Sequence, residues 1–490
     1  MSVDYVTFHA MERPDAVAFI DNGRRYTYAQ FDRDIRKFIL GLRELGITRG
    51  RRVGLACGDL YITWVLLLAL ERLGAVTLLL ARQEAPEAIP LLASLDIVVS
   101  EWGLPAGIVS RHHPITPEWI ASVRTRPEDR DAELPKASDD DVILILRTTG
   151  TTGDPKVLHC VRKTQSAWSD EWIWSLGLTS ASRFLLLLML DVYTIYTLAT
   201  GVIRAGGTVV REDRVRMGQA IWDHGITHTA LFPIHLSALM DSLDEGFQKP
   251  PGLFVVSFGA MLSASLREKT TTRLATVLSD NYGSREVGFV SRITRSDAGG
   301  VSVVAPGAEV DVVDEQGRSL PRGQLGRLRV KTPFMHHEYV GNPEATAKFF
   351  QDGWFNSGDL AIMPGPKHLR LMGRADDLIN VGGTKVLPST IEEFALGALN
   401  AKDVGVCSVR NRHGVDELVI GMSGVSLGDH EVQARLSPLL RPFQFANLHL
   451  VRIASIPRNA GGKIQRDQLK QVLCDAAGLT GPDFEPTAAP

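Results

Sequence analysis

The stretch LRTTGTTGDPK, Leu146 to Lys156, is crowded with threonine and glycine and closes on a lysine. With the residues before it, DVILILRTTG reads as a strand running into a Gly-rich turn. Glycines leave backbone N–H groups exposed, while hydroxyls and an ammonium add donors for phosphate oxygens. A plain polar turn has the same composition, so a phosphate cradle and a simple turn both fit these residues. A Walker A loop does not: it requires Gly, four residues, then Gly-Lys and Ser or Thr. Here Gly150 and Gly153 are two residues apart and Lys156 is followed by Val157.

Working outward, residues 26–80 alternate amphipathic helix (YTYAQFDRDIRKFILGLRELG), apolar strand (RRVGLAC), helix (YITWVLLLALERLG) and strand (AVTLLL). GITHTALFPIHLSALM and LFVVSFGAMLSASLREKT repeat the strand, turn and helix order. This predicts α/β architecture with a mostly parallel sheet, helices on its faces and ligands beyond the carboxyl ends of the strands. After about residue 300 short strands with turn signals (DEQG, PRGQLG) predict an antiparallel, barrel-like subdomain. From Asp376 a smaller unit begins, with strands VGVCSV and ELVIGM and helices IEEFALGAL and HEVQARLSPLL. We therefore expect a large domain over 1–375 and a small, mobile α+β domain over 376–490.

With 490 residues, a single core is not expected. A net charge of -3 gives no basic surface of the kind a nucleic-acid partner needs. Cys57, Cys160, Cys407 and Cys474 show no metal or disulfide spacing, which suits a reducing compartment. The N-terminus lacks a basic stretch followed by an apolar one, so a cytoplasmic location is expected. The apolar runs Ile62–Leu80 and Phe184–Tyr196 carry charges or are too short to span a bilayer.

Four further segments occur in order: YGSREVG (Tyr282–Gly288), DGWFNSGDLA (Asp352–Ala361), GRADDLINVGGTKVLPSTIEE (Gly373–Glu393) and NAGGKIQR (Asn459–Arg466). Together with TTGTTGDPK they resemble the signature motifs of the adenylate-forming superfamily, which includes acyl-CoA synthetases, adenylation domains of peptide synthetases and luciferases. The resemblance spans nearly the whole chain. It implies transfer of AMP from ATP to a carboxylate, release of pyrophosphate, and thioester formation on CoA or a carrier protein's phosphopantetheine. Mg²⁺ is the implied metal.

By this resemblance Thr148, Thr149, Gly150, Thr151, Thr152, Gly153 and Lys156 form a mobile loop over the β- and γ-phosphates. Gly259, Ala260, Asn281, Tyr282 and Gly283 surround the nucleotide, with Tyr282 stacked on adenine and Glu286 holding the metal. Asp359 accepts the ribose hydroxyls, Arg374 clamps ribose and phosphate, and Asp376 is the hinge. Lys463 reaches the substrate carboxylate and the nucleotide, and Gly382 and Gly383 line a thiol channel after domain rotation. Two positions depart from the pattern. Arg285 replaces the usual Thr and either offers its planar fork to a phosphate or carboxylate oxygen or fills the site and slows adenylation. Val157 replaces the usual Gly.

The implied acyl pocket draws on Asp191, Tyr193, His235, Gly259, Gly283 and Gly288. A buried Asp191 would meet an amino or hydroxyl group of the substrate, pair with His235, or serve structurally as a helix cap. Tyr193 and His235 suit an aryl or hydroxylated acid, or are simple core. Three functions follow: an acyl- or aryl-CoA ligase, a stand-alone enzyme loading an amino or aryl acid onto a carrier protein, or a nucleotide-binding homologue whose chemistry Arg285 blocks.

Overall fold

In the computed structural model of this chain, all residues are described except 81–88, 104–110, 128–137, 149–155, 213–216, 295–298, 382–383, 412–415, 441–447, 460–461, 480–483 and 486–490. The largest sheet has 14 strands. Val17–Asp21, Thr208–Arg211, Arg183–Leu185, His228–Leu231, Phe254–Phe258 and Val277–Ser284 run parallel to one another in that order. At Ser284 the chain turns back into Gly288–Ile293, and from there the sheet is antiparallel. The later strands Val301–Val304, His368–Arg374, Trp354–Gly365, Leu325–Lys331 and Glu309–Val313 extend the same hydrogen-bonded ladder.

A second sheet of six strands carries the Thr/Gly-rich stretch. Val142–Thr148 and Lys156–Val161 are its antiparallel hairpin, with Thr148 opposite Lys156. Between the two sheets lies helix Leu60–Leu73, which contacts strands of both. Nearly every side chain of this helix is buried, which explains an apolar run with no polar face. Its Glu71 accepts from the Ser2 backbone N–H at 3.1 Å, and burial raises the carboxyl's pKa against the pull of the N-terminus, Arg162 and Arg204. Among the described residues no helix is long and apolar enough to cross a membrane.

Residues beyond 385 bury clusters of their own. Strands Asp403–Asn411 and Asp416–Ser423 pair antiparallel, and alternation sends Val404, Val406, Leu418 and Ile420 to one face. Cys407, Val409 and Val419 go to the other, under helix Arg466–Ala477. Gly405 and Gly421 face each other in the register, and a Cβ on either would fall 2.8 or 2.5 Å from Leu469 or Leu473. The paired glycines let this helix lie flush on the sheet, and the helix follows directly on the Lys463 loop.

One carboxyl reports on packing. Burial alone pushes Glu171, on helix Arg162–Leu176, up to about 7 from an ordinary 4.5. A raised folded pKa gives a stabilising contribution that is complete below the unfolded value and lost as pH rises through about 7. Glu171→Gln is therefore expected to leave the thermal midpoint nearly unchanged near pH 5 and to raise it by about 1–2 °C near pH 8. Scanning calorimetry at both pH values checks this; equal midpoints near pH 8 would contradict it.

Candidate active site

The carboxyl ends of the parallel strands place their following residues along one cleft edge, as the geometry of such sheets requires. Strand Val277–Ser284 presents Asn281, Tyr282 and Gly283, and its neighbour Phe254–Phe258 presents Gly259 and Ala260. Asn281 is buried, and its Oδ1 accepts from Ser279 Oγ at 2.5 Å. The Tyr282 hydroxyl donates to Asp359 Oδ2. On the other side Arg374 Nη1 donates to Asp359 Oδ1 at 3.3 Å and to the Ser357 carbonyl at 2.7 Å. Asp359 and Arg374 are register partners on adjacent antiparallel strands, so the sheet itself sets their spacing. Burial, then the Asp359 charge, raises the Tyr282 phenol well above its usual pKa, so it remains a donor. Burial lowers the Arg374 pKa, but Asp359 and Asp376 outweigh it and the net shift is upward. Asp376 sits exposed in the turn after this strand, 3.8 Å from Arg374 Nη2.

A second group forms around Glu286, which is 8 % exposed. Its Oε1 accepts from the Tyr339 hydroxyl at 2.8 Å, and its carbonyl accepts from His336 N at 2.8 Å. Lys156 Nζ lies 4.3 Å from the Phe349 ring centroid and 5.4 Å from that of Tyr339. Burial lowers the Lys156 pKa, and Glu286 is the largest opposing influence. The Val340 N–H donates to the Val157 carbonyl at 2.8 Å, fastening the hairpin to this segment. Tyr339 thus ties Lys156 to Glu286, though nothing in HHEYVG marks it as a site residue. Thr149, Gly150, Thr151, Thr152 and Gly153 lie outside the described residues, as do Gly382 and Gly383.

The acyl side differs in part from expectation. Asp191 is exposed rather than buried, and the helix it precedes, Tyr193–Arg204, takes Val192 as its N-cap without a side-chain bond. That removes the helix-cap reading. Tyr193 turns inward, 5 % exposed, with its hydroxyl 2.9 Å from Cys160 Sγ. His235 is partly buried beside Phe232. Aromatic rings stand where the glycines leave room: a Cβ at Gly259 would fall 2.7 Å from Phe232, and one at Gly288 would fall 2.6 Å from Trp168. A Cβ at Gly283 would meet the Gly288 carbonyl at 2.2 Å. Trp168 in turn packs edge-on against His336 and Tyr193. Spacing gave no sign of Trp168 or Phe232, because both approach from elements distant in sequence.

Lys463 is exposed on a tight loop. Asn459 closes this loop: its Oδ1 accepts from Lys463 N at 3.0 Å and its N–H donates to the Lys463 carbonyl at 2.9 Å. Arg458 forks onto both Asp403 oxygens at 2.8 and 2.7 Å and donates to the Gly462 carbonyl at 2.6 Å. Gly462 has φ 78°, a conformation that favours glycine, and a Cβ there would lie 3.2 Å from Ile234 Cγ2. Ile234 begins helix Pro233–Asp241 at the end of strand His228–Leu231. The tip of the C-terminal region therefore rests on the rim of the cleft.

The profile of the AMP-binding enzyme family matches residues 6–340, and the chain belongs to that family. This places it in the adenylate-forming superfamily. It is 26 % identical to 4-coumarate–CoA ligase 5 of Oryza sativa subsp. japonica, over 97 % of this chain and 95 % of that one. Identity to the fatty acid–[acyl-carrier-protein] ligase ScoC of Streptomyces coeruleorubidus is 27 %, over 96 % and 95 %. ATP-bound MatB from Rhodopseudomonas palustris shares the fold with a TM-score of 0.84 at 21 % identity, over 96 % of this chain and 99 % of that one.

Two substitutions probe this geometry. Asp359→Asn removes the charge that Arg374 and Tyr282 share, and is expected to weaken AMP binding by about ten- to a hundredfold in calorimetric titration, with the thermal midpoint little changed. Ile234→Asp places a charge against the Lys463 loop. It is expected to slow acyl-adenylate formation by about ten- to a hundredfold, with thiolysis of supplied adenylate unaffected.

Proposed function

We propose that this chain activates a small or aryl carboxylic acid with ATP, forming the acyl adenylate and pyrophosphate, and then passes the acyl group to the thiol of CoA. The observation that supports this reading is the close approach of Gly462 to Ile234, which follows a strand two places along the sheet from that of Tyr282, together with the bonds that join Tyr282, Asp359 and Arg374.

A carboxylate is a poor electrophile because its leaving group would be oxide; adenylation replaces that with AMP. The carboxylate oxygen attacks the α-phosphorus, and the bond to pyrophosphate breaks with its electron pair leaving on pyrophosphate. Tyr282 offers a flat face to adenine, Asp359 accepts the ribose hydroxyls and Arg374 fixes Asp359. Lys156, beside Phe349 and Tyr339, serves the outer phosphates together with the loop 149–153. Lys463 supplies a positive charge where negative charge accumulates in transfer.

Among the described residues no three His, Cys, Asp or Glu side chains converge, so a cage built from protein alone is absent there. Glu286, with Tyr339 on one oxygen only among the described residues, suits Mg²⁺, which takes most of its ligands from phosphate and water. Bound there, Mg²⁺ would neutralise charge on the phosphates.

We place the domain boundary at residues 375 and 376, with Asp376 as hinge. Rotation about it would withdraw Lys463 and bring Gly382 and Gly383 to the thiol path. Trp168 and Phe232 beside Gly288 and Gly259 favour a short, flat acyl group. The rice relative's name specifies a CoA ligase of an aryl acid, and that of ScoC a carrier-protein ligase. The carrier-loading alternative, on an acid bearing an amino group, draws support from Asp191 exposed at the acyl side.

Pyrophosphate exchange across a panel of acids tests the activity: aryl or short acyl acids are expected to support it, and ATP binding without exchange for any acid would leave only a nucleotide-binding homologue. CoA against a phosphopantetheinylated carrier then separates the acceptors. Lys463→Ala is expected to abolish acyl-adenylate formation and spare thiolysis of supplied adenylate; equal loss of both steps overturns its assignment.

A further inference from the structure

Arg285 sits in the turn between strands Val277–Ser284 and Gly288–Ile293, beside Glu286. It is partly buried, yet among the described residues it makes no hydrogen bond and no ion pair. The neighbouring cations of the cleft are engaged: Arg374 is bonded to Asp359 and Ser357, and Lys156 lies against two aromatic rings. Burial lowers the Arg285 pKa, and Arg147 adds to that; Glu286 and Asp191 oppose both. Glu286 belongs to the nucleotide side of the cleft and Asp191 to the acyl side, so the guanidinium lies within reach of both fields. A partly buried guanidinium without a close acceptor among the described residues is open to an anionic ligand, and its planar fork matches a carboxylate.

Resting on the proposed reaction, we infer that Arg285 receives the carboxylate of the acid substrate and holds the oxygen that does not attack phosphorus. Adenylation turns that oxygen into the acyl carbonyl. In thiolysis the thiol sulfur adds to the acyl carbon, its proton passes to solvent, and charge builds on the same oxygen. The carbonyl then re-forms as the bond to AMP breaks and AMP leaves with the electron pair. Arg285 thus serves both half-reactions, orienting the nucleophile in the first and stabilising the oxyanion in the second, whereas Lys463 serves only the first. On this reading Arg285 is a working part of the site and not an obstruction.

The test compares Arg285→Ala, Arg285→Gln and Arg285→Lys with the native chain. Loss of one oxyanion donor is expected to slow each half-reaction by about a hundredfold in the Ala and Gln variants, with Lys recovering part of the rate. Binding supplies a readout independent of turnover: the sulfamoyl analogue of benzoyl adenylate is expected to bind at least about tenfold more weakly to Arg285→Gln, while AMP binds as to the native chain. Thiolysis at the native rate in the Ala and Gln variants overturns the proposal. So does an equal loss of AMP and analogue affinity, which would put the guanidinium on the phosphate. Should Arg285→Ala fail to fold, the near-isosteric Gln variant carries the same comparison. Failure of the proposed function reads differently: the native chain then supports exchange with no acid, whatever residue 285 is.

Discussion

One carboxylate, Asp359, held between the Tyr282 phenol and the Arg374 guanidinium, joins the parallel and antiparallel halves of the large sheet. Its partners lie 77 and 15 residues away in sequence. Bonds to an ionised acceptor are stronger than neutral ones, and even a half-buried carboxylate without such partners would be costly. The ladder fixes where Asp359 stands, and with it the spacing of all three groups. Tyr339 performs a similar service elsewhere by linking Glu286 to the segment that packs against Lys156.

The small unit solves a different problem, that of carrying a cation accurately on a loop. Its loop is closed by Asn459, braced by the Arg458–Asp403 fork, and continued by a helix seated on the Gly405–Gly421 floor. These contacts fix the position of Lys463 relative to its own sheet. The contact with Ile234 is small and apolar.

Much of the site was legible as text because each of its motifs combines a strand end or turn with a chemically distinctive residue. Tyr282, Asp359 and Arg374 belong to three such segments, and the structure joins them by hydrogen bonds. Legibility failed where a role depends on what approaches from elsewhere. Tyr193 reads either as a pocket aromatic or as core, and its burial against Cys160 favours core because the helix it begins packs that face inward. Asp191 reads as buried within an apolar run but stands in the open between a strand and that helix. Trp168, Phe232 and Tyr339 carry no local signal at all.

The sequence by itself determined the alternation of strands and helices, the antiparallel turn in the grammar after residue 300, and the chemistry of the motifs, since periodicity and residue type are local properties. Only the tertiary structure decided which rings close over Gly259 and Gly288, that the late strands extend the same sheet, and that Arg285 has no close partner among the described residues. Those outcomes depend on which surfaces meet when the apolar faces are buried, and that is set by packing between segments distant in sequence.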